Sequence, residues 1–150
     1  MWCFKYSIEM EKKNPVEEAR RYVDNAKQLL VEHGELDLET RLYGDKKYVR
    51  MAGDTLWKGV LLILDTVFHV RKDRRTRVHI EDYLESINKR DGKMAKMVSA
   101  GYQIMHLIMG YDGVPDKNTC DSGFRLANDI IDRCEKMLAP TCMCIPHQPS

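Results

Sequence analysis

The stretch from Lys46 to His69 constrains this chain more than any other, because it carries helix-spaced apolar residues on two sides. One stripe reads Tyr48, Met51, Ala52, Thr55, Gly59, Leu62, Ile63 and Thr66. A second, about half a turn away, reads Trp57, Leu61, Leu64 and Phe68, leaving mainly Asp54, Lys58 and Asp65 on a polar side. A helix of this length spans roughly 36 Å. Two apolar faces need two partners. Either the helix is central in the fold, or Trp57, Leu61, Leu64 and Phe68 form a subunit interface; the reading leans to a homodimer. Gly53 and Gly59 let a neighbouring backbone come close, at a cost in helix propensity.

Caps and breakers divide the rest of the chain. In Asn14-Pro15-Val16-Glu17, asparagine can cap, proline suits the first helical position, and Glu17 can reach back as in a capping box. The helix that follows buries Ala19, Tyr22, Val23, Ala26, Leu29 and Leu30, with Gly34 as its C′ residue. Glu35 to Gly44 is too short and glycine-closed for a full helix and reads as a connection. Asp45 caps the long helix. Val70 to Val78 shows no apolar period and reads as a basic loop. A short helix, Ile80 to Lys89, faces Tyr83, Leu84 and Ile87 inward, and Asp91-Gly92 breaks the chain.

The next helix, Lys93 to Met109, presents Met94, Met97, Val98, Gly101, Ile104, Met105 and Ile108, and Gly110 is expected to end it. After the turn Tyr111 to Pro115, Asp116 or Asn118 caps a last helix whose seam is Cys120, Phe124, Ala127, Ile131, Cys134 and Leu138. Pro140, Pro146 and Pro149 stop it. No strand pattern competes. The expected fold is all-α, an antiparallel bundle of four long helices and one short helix over residues 14–138, with an N-terminal extension (1–13) and a mobile tail (139–150).

The 150 residues suffice for one core without staples. A net charge of +1 creates no global field, so attraction to nucleic acid must come from a local patch. The longest apolar run, Val60 to Leu64, falls far short of the ~20 residues of a bilayer crossing. Five irregularly spaced cysteines and an N-terminus without a basic-then-apolar signal read as a cytoplasmic protein.

Candidate chemistry is sparse. Cys142, Cys144 and His147 offer soft ligands at a spacing unlike structural zinc sites, so neither metal nor cofactor is expected. Cys120 and Cys134 fall on the inward seam and read as small core residues. Arg71, Lys72, Arg74, Arg75 and Arg77 form a basic patch able to track phosphates, flanked by His69 and His79 but lacking interleaved aromatics for base stacking. His106 lies one turn after Tyr102, with no nucleophile in a recognisable frame, and no catalytic residue is assigned. A pocket between the second and fourth helices would lie near Tyr102, His106 and Tyr111. Gly110-Tyr111-Asp112-Gly113 is too short for a phosphate-cradling loop and reads as helix termination.

The segments Asp45 to Gly53, Lys89 to Met94 and His106 to Gly113 together resemble an uncharacterised family of small bacterial helical proteins, over about residues 14–138. The arrangement of helices is also similar to the HEPN bundles, whose name records nucleotide binding in prokaryotes and higher eukaryotes. Many HEPN proteins are dimeric ribonucleases with an arginine, a polar residue, and a histidine four to six positions beyond the arginine. Arg90-Asp91 supplies the first two elements, yet no histidine occurs before His106; Arg74 and His79 have the right separation but sit in the basic loop. The resemblance therefore implies a HEPN-like protein without the ribonuclease site, comparable to members that partner nucleotidyltransferases or neutralise toxins. The expected function is non-enzymatic partner or ligand binding as a homodimer, with Arg90, Asp91, Tyr102, His106, Tyr111 and Asp112 as candidate ligand contacts. The alternative is a nucleotide- or RNA-directed protein using Arg90, Asp91 and the basic patch.

Overall fold

The computed structural model describes residues 14–71, 73 and 77–139. The chain is mostly helical: α1 (Pro15–His33), a hairpin of β1 (Leu36–Asp37) and β2 (Leu42–Tyr43), α2 (Lys46–Phe68), α3 (Ile80–Asn88), α4 (Gly92–Gly101) running into a π-helix (Tyr102–Tyr111), and α5 (Lys117–Leu138). Local chemistry sets most of these limits. Asn14 accepts a hydrogen bond from the Val16 amide, and Pro15 occupies the first turn of α1. Asp45, Asp91 and Asp116 cap α2, α4 and α5 by accepting from the amides of Lys47, Met94 and Thr119. Ahead of α3, the His79 amide donates to the Asp82 carboxylate at 3.1 Å.

The hairpin corrects the expectation that no strand forms. Each strand is only two residues long, Leu36 facing Tyr43 and Asp37 facing Leu42. Alternation cannot declare itself over so short a span. Side-chain chemistry closes the turn: Asp37 accepts from the Glu39 and Thr40 amides, and Arg41 adopts a left-handed φ of 58°. Gly34 caps α1 with helical angles, and Glu35 takes the left-handed conformation expected of that glycine.

Helix α2 lies at the centre, packed against α1, the π-helix and α5. Its buried face is rotated from the first expected stripe: Val49, Leu56, Val60 and Ile63 are fully covered, whereas Met51 is exposed. The second stripe is interior as well. Leu64 is completely buried, Trp57 and Phe68 are 6% and 9% exposed, and Leu61 is half-buried. Of the two alternatives, the central helix is the one realised. Trp57, Leu64 and Phe68 leave no bare stripe for a second copy, because α2 meets both of its apolar partners inside one chain.

The two glycines of α2 serve this packing. A β-carbon on Gly59 would stand 2.6 Å from Tyr22 Cβ on α1, and one on Gly53 would stand 2.5 Å from the Gly110 amide and 2.6 Å from the Met105 carbonyl. The neighbours that come close are α1 and the π-helix. Gly110 accordingly sits inside the π-helix and does not end it; Gly113, at φ 65°, makes the left-handed exit, its amide bonded to the Met109 carbonyl.

Along α5, Cys120, Ala127, Ile131 and Cys134 are buried as the seam predicts, joined by Ile130, while Phe124 is half-buried and Leu138 exposed. Among the described residues, no helix is long and apolar enough to cross a membrane. The extension 1–13 and, in the tail, Cys142, Cys144 and His147 lie outside the described residues, as do Lys72, Arg74 and Arg75 of the basic patch.

Candidate functional site

The sequence-derived candidates separate into a corner that holds the fold together and a cleft that remains open. Arg90 and Asp91 belong to the corner, where the short α3 turns into α4. The Arg90 guanidinium donates to the Val67 carbonyl at 2.9 Å and lies 5.0 Å above the Phe68 ring, closing the end of α2. Asp91 caps α4 and also receives two hydrogen bonds from Arg133 of α5, at 2.6 and 3.0 Å. This fork, helped by the cap, holds the Asp91 carboxyl below its ordinary pKa, and it holds the Arg133 guanidinium more firmly protonated. Both candidates are spent on structure.

Tyr102 and His106 project from the first half of the π-helix towards Trp57 of α2. The Tyr102 and His106 rings are 5.1 Å apart, and each approaches the indole, Tyr102 edge-on at 5.7 Å and His106 tilted at 6.3 Å. The three rings form one side of a cleft of about 500 Å³. Asp54, Lys58 and Leu61 extend it along α2, and Arg77, His79 and Glu81, from the segment entering α3, contribute the opposite rim. Behind it, Tyr83 donates from its hydroxyl to Asp65 at 2.7 Å; burial, reinforced by that bond, pushes the phenol pKa upward.

The π-helix sets this geometry. Its backbone presses on α2 at Gly53, and the Asp54 carboxylate fills the place a Gly110 side chain would take, with Oδ1 only 2.8 Å from that β-carbon position. Wide π turns recur at functional sites because they re-aim side chains that an α-helix would present elsewhere. The indole of Trp57 is the notable group. The residue is only 6% exposed and lines the cleft, and its N–H makes no hydrogen bond within the protein but is not sealed from solvent.

The remaining candidates go elsewhere. Tyr111 is 78% exposed at the end of the π-helix; neither it nor the exposed Asp112 lines the cleft. From the basic patch, Arg71 is exposed and Arg77 joins the cleft. The cysteines within the described residues offer no nucleophile, since burial pushes the Cys120 and Cys134 thiols up to about 12. A larger groove, about 680 Å³, runs between α1, the hairpin and α5 over Val23, Leu30, Leu36 and Phe124, but Lys117 and Asp121 on its edge already pair at 2.5 Å. Among the described residues, no cluster of metal-ligating side chains forms.

Sequence reasoning missed Asp54, Lys58 and Glu81 as cleft residues and placed Trp57 at a subunit interface. The signal was present. Asp54, Trp57, Lys58 and Leu61 have the i, i+3, i+4, i+7 spacing of a single helical face, one that mixes polar and apolar side chains.

The profile of a domain of unknown function, DUF5618, matches residues 14–136. The chain belongs to this family. The DUF5618 fold described above is also similar to a solved structure, a protein of unknown function from Dyadobacter fermentans, at 38% identity and a TM-score of 0.73; the match covers 83% of this chain and 96% of that one. No curated protein matches. The DUF5618 region spans α1, the hairpin, the corner and the whole cleft.

Proposed function

We propose that this DUF5618 chain acts without catalysis, by binding a small molecule in the cleft of Trp57, Tyr102 and His106. The observation that carries the reading is a wall of three rings, the buried Trp57 and the half-buried Tyr102 and His106, bordering a cavity also lined by the charged Asp54, Lys58, Arg77 and Glu81. The Trp57 N–H makes no hydrogen bond within the protein and is open to water, so a ligand acceptor can take it in place of water. Small-molecule sites combine this kind of aromatic wall with a few convergent polar groups, in cavities of roughly 300–1,000 Å³. The lack of catalysis rests on His106: no carboxylate is hydrogen-bonded to it to orient the imidazole for proton transfer. A homodimer through Trp57, Leu64 and Phe68 forms no part of this reading.

The test is a fragment screen followed by heteronuclear NMR. Binders should move the Trp57 indole and the Tyr102 and His106 amides together, and His106→Ala should weaken them. Hits that cluster in the groove between α1 and α5, leaving the indole still, would refute the assignment.

One observation favours a second reading, a nucleotide- or RNA-directed protein of HEPN-like arrangement without an intact ribonuclease motif: Arg77 stands on the cleft rim within the basic segment. That reading loses Arg90 and Asp91 to the corner. Its antiparallel character is supported by α1 and α5, since Arg20 near the start of α1 pairs with Asp132 near the end of α5. Binding to mixed RNA at low salt, weakening steeply as salt rises, would favour it; no binding at low salt would remove it.

A further inference from the structure

The cleft carries unpaired charges of both signs. On α2, Asp54 and Lys58 stand one turn apart, and across the opening Arg77 and Glu81 flank the entry to α3. None of these four makes an ion pair or side-chain hydrogen bond, although Arg20, Arg21, Lys117 and Arg133 all find carboxylates elsewhere in the molecule. The two cations and two carboxylates cancel, so a ligand with charge of a single sign gains one attraction and meets one repulsion. A ligand bearing both signs, correctly spaced, gains two attractions.

Resting on the small-molecule reading above, we infer that the ligand is a ring-bearing zwitterion, with the chemistry of a free aromatic amino acid. Its flat ring lies against Tyr102 and His106, which prefer an offset or edge-on neighbour. Its acid group faces Lys58 and Arg77, and its amine faces Asp54 and Glu81. An acceptor oxygen of the acid meets the indole N–H of Trp57, which makes no hydrogen bond within the protein and is open to solvent. A carboxylate recognised by a guanidinium gains direction as well as attraction, so Arg77 is the residue expected to set the ligand's orientation.

Four compounds that share a ring separate the contributions: indole, tryptamine, indole-3-propionate and L-tryptophan, titrated into the full chain by calorimetry, with NMR locating each. L-Tryptophan should bind tightest, by roughly tenfold over either singly charged compound, the ratio carried by one well-placed charged contact. Arg77→Gln should weaken L-tryptophan and indole-3-propionate while leaving tryptamine as tight or slightly tighter; Glu81→Gln should weaken L-tryptophan and tryptamine while leaving indole-3-propionate as tight or slightly tighter. Both positions are exposed, so these variants fold and keep the test decisive even if Trp57→Phe disturbs packing. Equal affinity across the series, or tightest binding by indole, would overturn the zwitterion assignment while leaving the cleft as the site. If no compound moves the Trp57, Tyr102 or His106 signals at millimolar concentration while fragments of other chemistry do, the ligand class alone fails. If nothing moves them, the binding reading fails with it.

Discussion

The corner at Arg90 and Asp91 and the cleft at Trp57 are built from similar residue types and use them in opposite ways. In the corner every polar group has a partner: Asp91 holds the α4 amide and the Arg133 fork, and Arg90 holds the last turn of α2. In the cleft the indole N–H, Asp54, Lys58, Arg77 and Glu81 have none. Polar groups that satisfy one another stabilise a fold, whereas exposed groups that only water satisfies remain available to something else. The contrast teaches that an arginine–aspartate pair at a helix junction is poor evidence for a site until its hydrogen bonds are counted.

The comparison can be broken most readily at Asp91. Asp91→Ala removes a helix cap and strands Arg133, and should cost about 2 kcal/mol, a melting temperature lower by roughly 4–8 °C. Calorimetric unfolding measures it; an unchanged melting point would mean that the corner is not structural. Arg90→Ala, which loses one bond to a carbonyl and the contact with Phe68, should cost about 1 kcal/mol in denaturant titration.

Acid should act on the same corner. The Asp91 pKa is depressed by Arg133 first and the Met94 amide after it, so the stability this carboxylate contributes is present above its unfolded value, about 3.9, and is lost as pH falls through the lower folded value. Stability should therefore decline below about pH 4, and less steeply in Asp91→Asn; equal slopes would show that Asp91 is not coupled to folding. Smallest of all are the cleft variants. Lys58→Gln should change stability by less than about 0.5 kcal/mol, because its exposed side chain has no partner to lose, and His106→Gln by no more than about 1 kcal/mol, the cost of its ring contacts with Tyr102 and Trp57. A large destabilisation by either would erase the distinction between the two regions.

How much of this was legible in the sequence depends on how local the signal is. Caps at Asn14, Asp45 and Asp116, and the doubly apolar α2, announce themselves because each depends on residues within a few positions. The small hairpin did not, since two-residue strands carry no period. The π-helix did not either: Met105 and Met109 keep a spacing that suits an α-helix, and only the meeting of Gly53 with Gly110 shows the wider turn pressed onto α2. The second stripe of α2 was read correctly as needing a cover, but covering by Tyr102, His106 and Arg90 joins residues distant in sequence, which no periodicity reveals. Asp54 and Lys58 share a helical face with Trp57 and were legible but read as its polar side, whereas Glu81 joins the cleft only through the fold.

The sharpest test compares two side-chain protons in one sample. Hydrogen-exchange NMR can report the Arg133 Nε–H and the Trp57 Nε1–H, each as protection relative to the free side chain. A closed corner and an open cleft predict clear protection for Arg133 and little for Trp57 until a ligand is added. A strongly protected indole in the free protein, beside an unprotected Arg133, would contradict the account.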